Sequence, residues 1–318
     1  MEREHAWWTT YRKPQGFPAA RYWQGCGVTL AWNEFGDPGG FPVVFCHGWP
    51  SSRWQAQVVD AQARIRGFRI LSIDRPGMGC SPWIPGRSID QWPVWVEAFL
   101  DSLDVGSFAQ LAVSGGGPYA IACAALLADR VTATSILCGA VPLPPESVAR
   151  LHPAYRMLAG LSRLPGPVFS PGLRLAAVVM KGNPDHPPLA WLAGMLPEPD
   201  ASLLTSCPDL FSSLMTASSE GLKQRGRAVM DDGRIYLAPW TIDLATIRQP
   251  VRCWHGGLDR TVPLELAETF LKRVPAANLT VVPGDGHFSL AIHRTEAASD
   301  ALGSLSDPAN ISPECSGR

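Results

Sequence analysis

Phe108-Ala-Gln-Leu-Ala-Val-Ser114-Gly-Gly-Gly-Pro-Tyr-Ala120 carries the clearest indication of the architecture of this chain. Its first six residues are mostly apolar and predict a strand, and a helical pattern begins directly after the serine. A strand that passes at once into a helix needs a sharp turn, which strains the backbone at Ser114 and presents its side chain outward. Small residues two positions before and after it, Ala112 and Gly116, keep this turn free of clashes. The stretch therefore predicts an α/β fold with a serine at the end of a strand.

Short apolar or β-branched runs of this kind recur along the chain and alternate with helical patterns. The predicted strands cover residues 28–34, 43–47, 69–74, 108–113, 133–138, 251–254 and 279–282. Helices are predicted to begin near Ser52, Asp90, Gly115, Leu264 and Phe288. This alternation is typical of a mostly parallel sheet covered by helices.

The alternation stops between about residues 141 and 235, where the chain is rich in Pro, Leu and Ala. Weak helical patterns, such as that of residues 148–161, predict a helical insertion. Because proline disrupts helix interiors, its helices are expected to be short or kinked. We therefore predict one domain formed by residues 1–140 and 236–318, interrupted by a helical segment of residues 141–235. The polar end, residues 306–318, is expected to fray.

The composition excludes several classes of protein. The 318 residues are 46% hydrophobic and 17% charged, which is typical of one large domain with a sizeable core. With a net charge of -1 and no run of Lys or Arg, binding to nucleic acid is not expected. No segment reaches the roughly 18–20 apolar residues of a membrane helix. The charged start, residues 1–5, does not resemble a secretory signal, so we expect a cytoplasmic protein.

Eight cysteines show no metal-ligand spacing. Cys46, Cys123, Cys138 and Cys253 lie in apolar runs, where a thiol acts as a small hydrophobic group. We therefore expect these four to be structural, without a metal site or a disulfide framework.

Two chemistries fit the serine turn. Ser114 is a candidate nucleophile, because the start of the following helix offers free N–H groups and a positive dipole end. A glycine-rich turn between a strand and a helix also binds phosphate or simply packs closely, and this stretch alone leaves both readings open. The absence of a lysine after the glycines counts against a P-loop.

A second loop, His47-Gly48-Trp49-Pro50, follows the predicted strand 43–47. Acyl transfer needs two N–H donors where negative charge develops, and one must come from a loop beside the nucleophile. We assign these donors to the backbone N–H groups of Trp49 and Gly115. His47 is expected to be a structural imidazole. The substrate pocket is predicted to be lined by Trp49, His47, Met78 and Phe288.

The acid and the base that activate a serine are expected on loops after later strands. Asp259 follows the sixth predicted strand and His287 the seventh. Asp259 would orient the imidazole of His287 and stabilise its cationic form. Asp285 and Asp243 are competing acids, of which the first is interpreted as a turn residue and the second precedes the last strands. The remaining histidines are expected in surface or structural positions: His5, His152, His186, His255 and His293.

With its functional loops in the order Ser114, Asp259 and His287, the chain resembles the α/β-hydrolase superfamily, and most of all its bacterial esterase-like members. The resemblance covers about residues 20–140 and 236–305. It implies an eight-stranded, mostly parallel sheet and a helical cap, formed by the insertion, that covers the site. Haloalkane dehalogenases and epoxide hydrolases are similar but use an aspartate as nucleophile, so the serine argues against both.

The expected reaction is the attack of Ser114 on a carboxylic ester, followed by release of the acid by water. No cofactor or metal is expected, the partner is a small-molecule ester, and the protein is expected to be a monomer or a homodimer. The same triad also serves carbon–carbon bond hydrolases, lactonases, aminopeptidases and cofactor-free perhydrolases, and receptor-like ligand-binding proteins share the fold. A partly hydrophobic, uncharged substrate is indicated by apolar residues of the insertion: Leu189, Trp191, Leu192, Met195 and Leu196.

Overall fold

The structure is a computed structural model of the chain, and it describes residues 6–143, 148–149, 156–157, 160, 166–180 and 195–306. Its strands are β1 (Arg21–Gly25), β2 (Val28–Gly36), β3 (Phe41–Cys46), β4 (Phe68–Ile73), β5 (Phe108–Val113), β6 (Val131–Leu137), β7 (Val251–Gly256) and β8 (Ala277–Val282). They form one sheet in the order β1-β2-β4-β3-β5-β6-β7-β8. The pairs β1–β2 and β2–β4 are antiparallel, and all the others are parallel. The predicted mostly parallel, eight-stranded sheet is therefore confirmed.

Helices connect the strands and cover both faces of the sheet. They are α1 (Trp7–Thr10), α2 (Asp60–Ile65), α3 (Gln91–Asp101), α4 (Gly117–Leu126), α5 (Gly166–Val179), α6 (Glu198–Ser206), α7 (Pro208–Gly221), α8 (Arg227–Leu237), α9 (Leu264–Leu271), α10 (His287–His293) and α11 (Thr295–Ser306). Short 3₁₀ helices span Arg53–Val59, Ser114–Gly116 and Leu244–Thr246. Each predicted helix start lies within two residues of an observed one.

Alternate side chains of the central strand β3 enter two separate cores. Val44 packs in the cluster that includes Phe99 of α3, whereas Val43 packs in the cluster that includes Leu302 of α11. All four side chains are buried. A parallel sheet that is covered on both faces needs apolar residues at every position, which is why its strands were recognisable as apolar runs.

The first strand, β1, was not predicted from the sequence. It is an edge strand that pairs only with β2, and the side chains of Arg21, Tyr22 and Gln24 are exposed. Trp23 is its apolar anchor and packs edge-on against Phe99, with ring centroids 6.1 Å apart. With Arg21, Gln24 and Gly25 among its five residues, β1 shows no apolar run.

Helices α5 to α8 lie between β6 and β7, and we call residues 138–250 the inserted segment. The described residues of this segment contain helices and no strand, in agreement with the predicted helical insertion. Helix α5 carries Pro171 in its interior and still runs for 14 residues, whereas proline was expected to make the helices of this segment short or kinked. Helix α7 also runs for 14 residues, and its Pro208 stands at the first helical position, where no N–H is needed.

The proposed division of the chain stays a prediction. Helix α8 crosses the predicted boundary at residue 235 and ends at Leu237. Most of the helix predicted at 148–161 and nearly all of the end predicted to fray lie outside the described residues, as do Leu189, Trp191 and Leu192. Met195 is described and exposed.

Within the described ranges, no helix is both long and apolar enough to cross a bilayer. In the same residues, no group of three or more His, Cys, Asp or Glu side chains is arranged to hold a metal ion. The four cysteines that were predicted to be structural are buried and form no disulfide: Cys46, Cys123, Cys138 and Cys253.

Candidate active site

Ser114 lies at the sharp turn between β5 and α4. Its φ is 51°, in the left-handed region that costs a non-glycine residue about 1–3 kcal/mol. A Cβ added to Gly116 would lie 2.0 Å from the carbonyl oxygen of Cys46, so only glycine fits there. The turn therefore holds the serine at the carboxyl end of the parallel strands, where strand ends converge.

The side chains predicted as nucleophile, base and acid meet at this edge. Ser114 Oγ lies 2.9 Å from His287 Nε2, and His287 Nδ1 lies 2.7 Å from Asp259 Oδ2. The other carboxylate oxygen of Asp259 accepts hydrogen bonds from the backbone N–H groups of Thr261 and Val262, at 2.7 and 2.9 Å. Because Nδ1–H is donated to Asp259, Nε2 faces Ser114 as an acceptor.

The buried carboxylate controls the protonation of this imidazole. Burial lowers the pKa of His287, but the charge and the hydrogen bond of Asp259 outweigh it, so that the pKa lies well above its usual range. Burial raises the pKa of Asp259, but His287 outweighs it and holds this pKa below its usual value. Asp259 is therefore ionised and stabilises the imidazolium that forms when His287 accepts a proton.

His255 supports the acid. Its Nε2 lies 2.8 Å from the carbonyl oxygen of Val262 and 3.5 Å from Asp259 Oδ2. Burial lowers the pKa of His255, so the ring is neutral and donates its N–H to Val262. This role is structural, since the contact holds the loop on which Asp259 lies.

The loop after β3 brings Trp49 next to the serine turn. A Cβ added to Gly115 would lie 3.0 Å from the backbone nitrogen of Trp49, and one added to Gly48 would lie 3.7 Å from Ser114 Cβ. The N–H of Gly48 donates to Gln55 Oε1 at 2.6 Å, which holds the loop. The structure thus places the two predicted N–H donors close together beside Ser114.

Arg75 holds the same loop from within the core. Its buried guanidinium donates to the carbonyl oxygens of His47 and Gly48, at 2.6 and 2.8 Å, and to Asp232 Oδ2 of α8, at 3.0 Å. The Gly48 carbonyl and the Trp49 N–H belong to the same peptide unit. Arg75 therefore orients one of the two predicted donors.

Asp232 lies at the centre of a buried ionic cluster. It accepts hydrogen bonds from Arg75, from Arg87 and from the hydroxyl of Tyr119, the last at 2.5 Å. Burial raises the pKa of Asp232, but the two guanidinium groups outweigh it and hold this pKa below its usual value. With two cations and one anion, the cluster carries a net positive charge behind the predicted donors.

Helix α8 also contacts the two residues that carry the predicted donors. The hydroxyl of Tyr236 donates to the carbonyl oxygen of Gly115 at 2.7 Å, and the indole N–H of Trp49 donates to the carbonyl oxygen of Val229 at 2.9 Å. The inserted segment therefore supports both residues that carry these N–H groups. No motif in the sequence marks Asp232 or Tyr236, since each acts through a contact with a residue far away in the chain.

Two of the residues predicted to line the substrate pocket do not do so. His47 is fully buried, with its Nδ1 3.0 Å from the carbonyl oxygen of the next residue, and Met78 is fully buried against α8. Both side chains fill the core beneath the loops instead of the space in front of Ser114. Trp49 and Phe288, the other two, do line that space.

A cavity of about 170 Å³ opens beside Ser114. The sheet and its loops form one wall and the inserted segment the other. Its apolar lining includes Phe45, Trp49, Leu137, Leu214, Met215 and Phe288. Among the described residues that line it, none is Asp, Glu, Lys or Arg.

A second cavity, of about 40 Å³, lies on the other side of the serine. Tyr236, Leu237 and Val262 line it, together with Trp49 and Ser114, which contact both cavities. The serine therefore stands between a larger and a smaller apolar space.

The two competing acids, Asp285 and Asp243, form hydrogen bonds with other residues. Asp285 Oδ1 is 2.9 Å from His293 Nδ1, and Asp243 accepts from the N–H of Ala245 at the start of a 3₁₀ helix. Within the described part of the chain, the carboxylate that contacts the His287 ring is that of Asp259 and neither of these. His5, His152 and His186 lie outside the described residues.

Comparison with known proteins shows the family of the chain. The profile of the Alpha/beta hydrolase family matches residues 43–301, which is more than half of the chain. A protein named non-heme chloroperoxidase, from Streptomyces lividans, is 27% identical over 295 residues, which cover 87% of this chain and 95% of the relative.

Solved structures share the fold. An alpha/beta hydrolase fold protein from Nakamurella multipartita has a TM-score of 0.64 at 21% identity, covering 90% of this chain and 98% of that one. A thermophilic esterase from Thermogutta terrifontis has a TM-score of 0.60 at 20% identity, covering 90% and 97%. Given the family profile, the sheet order and the position of the serine turn, this chain belongs to the α/β-hydrolase family.

Proposed function

We propose that the protein hydrolyses carboxylic esters through an acyl-enzyme formed on Ser114. The observation that carries the proposal is the continuous contact from Ser114 through His287 to Asp259, at 2.9 and 2.7 Å, beside an apolar cavity. A turn that only binds phosphate or packs closely has no need of a base bonded to the serine, or of an acid behind that base.

In the first half of the reaction, Ser114 Oγ attacks the ester carbonyl carbon while His287 Nε2 accepts the hydroxyl proton. Negative charge develops on the carbonyl oxygen, where the N–H groups of Trp49 and Gly115 stabilise it. The bond to the alcohol oxygen then breaks, and the imidazolium donates its proton to that oxygen. In the second half, water attacks the acyl group with the same assistance, which releases the acid and restores the serine.

The two cavities indicate the substrate class. A dry apolar cavity of about 150 Å³ holds a benzene molecule. The larger cavity, at about 170 Å³, therefore fits an uncharged group of about six carbons or a phenyl ring, and the smaller one fits a short group. A charged group would be disfavoured in the larger cavity, because burial of an unpaired charge is costly.

Perhydrolysis is the second candidate, and the similarity to the Streptomyces lividans protein named non-heme chloroperoxidase favours it. Hydrogen peroxide would then replace water in the second half. Its oxygen attacks the acyl carbon, its proton passes to His287, and a peracid leaves as the serine hydroxyl is restored. Incubation with an ethyl ester and hydrogen peroxide, with titration of the peracid, measures this activity.

The main experiment combines a fluorophosphonate probe with p-nitrophenyl esters of two to ten carbons. We expect labelling at Ser114 and the highest kcat/KM near six carbons. Ser114→Ala should abolish labelling and lower kcat by about 10⁶-fold. Ser218→Ala is the matched control, since Ser218 lines the same cavity. Labelling and turnover that survive Ser114→Ala would contradict the nucleophile, and labelling without turnover of any ester would contradict ester hydrolysis.

A further inference from the structure

Asp200 is a carboxylate of the inserted segment that is completely buried beside the base. It lies on α6 with an exposed fraction of 0%. One carboxylate oxygen accepts the N–H of His287 at 2.9 Å, and the other accepts the N–H and the hydroxyl of Ser289 at 2.8 and 2.7 Å. These contacts close the first turn of α10, the helix that begins with His287.

Neutral donors stabilise the charge of this carboxylate. Among the described residues, no Lys, Arg or His side chain forms an ion pair with Asp200; its hydrogen bonds go to the first turn of α10. A carboxylate is favoured there because free N–H groups and the positive end of a helix dipole face it. If it were lost, the buried N–H groups of His287 and Ser289 would have no acceptor.

The backbone at the base is shaped to receive this carboxylate. A Cβ added to Gly286 would lie 2.5 Å from each carboxylate oxygen of Asp200. The N–H of Gly286 donates to the hydroxyl of Ser289 at 2.8 Å, which in turn donates to Asp200. The residue before the base must therefore be glycine for Asp200 to reach the backbone.

We propose that Asp200 is a positioning residue for His287, an inference that rests on the proposed function. By holding the backbone nitrogen of His287, it sets the point from which the imidazole spans Asp259 and Ser114. The base is then in place only while α6 is docked against α10. The inserted segment is thus a working part of the catalytic site as well as a wall of the pocket.

A kinetic comparison of matched variants tests this role. Asp200→Ala should lower kcat by about 100-fold with little change in KM, because a displacement of the base by about 1 Å is enough for such a loss. The kcat of Asp200→Asn should lie between those of Asp200→Ala and the wild type, since asparagine keeps one acceptor oxygen. The control is Glu198→Ala, which removes an exposed carboxylate from the first turn of the same helix. If Asp200→Ala does not fold, as judged by circular dichroism, Asp200→Asn and Ser289→Ala take its place.

A second readout needs no substrate. The proton between His287 Nδ1 and Asp259 should give a downfield NMR resonance, assigned by its loss in His287→Ala. We expect this resonance to shift or disappear in Asp200→Ala and to stay in Glu198→Ala. If the wild type turns over no ester while the resonance still depends on Asp200, the proposed function fails and the positioning role stands. An unchanged resonance, or an unchanged kcat in an ester-cleaving enzyme, in a folded Asp200→Ala variant overturns the role and leaves Asp200 as a stabilising helix cap.

Discussion

The inserted segment contributes one buried carboxylate to each half of the site, and the two are compensated in different ways. Asp200, at the base, accepts hydrogen bonds from uncharged donors of α10. Asp232, behind the predicted oxyanion donors, faces the guanidinium groups of Arg75 and Arg87. Neutralising Asp200 would leave some of its hydrogen bonds intact, but neutralising Asp232 would leave two buried cations without an anion. The base is thus held through backbone geometry and the donor loop through charge.

Among the changes around the base and the donor loop, the largest effect is expected at Asp259, because this carboxylate stabilises the base through its charge. Asp259→Asn should lower kcat by about 10⁴-fold, because the imidazolium loses its stabilising anion. In the wild type, Asp259 raises the pKa of His287, so kcat/KM should rise with pH through an apparent pKa above about 6.5. In Asp259→Asn, the rise of kcat/KM should occur at lower pH. Profiles of kcat/KM against pH measure the loss of activity and the shift of this rise. A rise at the same pH in both proteins would contradict the role of Asp259 as the partner of His287.

The free energies of unfolding of Asp232→Asn and Asp200→Asn compare the two halves of the site most directly. Asp232→Asn should lower the free energy of unfolding by about 3–5 kcal/mol, since it leaves buried guanidinium groups unpaired. Asp200→Asn should cost about 1–3 kcal/mol, the range for a buried group that loses part of its hydrogen bonding. Urea unfolding of both variants gives the two values. If both variants lose the same free energy of unfolding, the two carboxylates are not held in the different ways described here.

The donor side can be weakened without touching the triad. Arg75→Met removes the contact to the Gly48 carbonyl while Arg87 still faces Asp232. We expect kcat to fall by about 100-fold, the lower range for loss of one oxyanion donor. The control is the exposed Arg248→Met. Ester hydrolysis measures kcat of the two variants. Equal kcat values would show that Arg75 does not orient the Trp49 N–H.

A small effect, comparable with that of Asp200→Asn, is expected at the glycine beside the base. Gly286→Ala should destabilise the protein by about 1–3 kcal/mol, because its Cβ would overlap the Asp200 carboxylate at 2.5 Å. Gly284→Ala is the control, since an added Cβ there has no neighbouring atom within 4 Å. Thermal unfolding of the pair measures the difference. A loss at Gly284 as large as that at Gly286 would mean that Asp200 does not explain the requirement for glycine.

Much of the fold could be predicted because parallel strands in a covered sheet need apolar residues on both faces. The edge strand β1 escaped prediction because it buries little beyond Trp23. The orientation of Met78 also escaped it, since a loop sequence does not specify which side of the loop faces the core. Its side chain packs against α8, which is 149 or more residues later in the chain.

Local sequence was enough to specify the turn at Ser114, the order of the three loops and the placement of Asp259 and His287 after late strands. These features are local, because a sharp turn or a strand end selects its own residues through sterics and backbone conformation. The contacts of Asp200 with the base, and those of Asp232 and Arg75 behind the donor loop, arise instead from the packing of distant segments in the folded chain. Those contacts join residues 87 and 157 positions apart, and no local pattern specifies which buried groups will pair when helices of the inserted segment dock on the sheet.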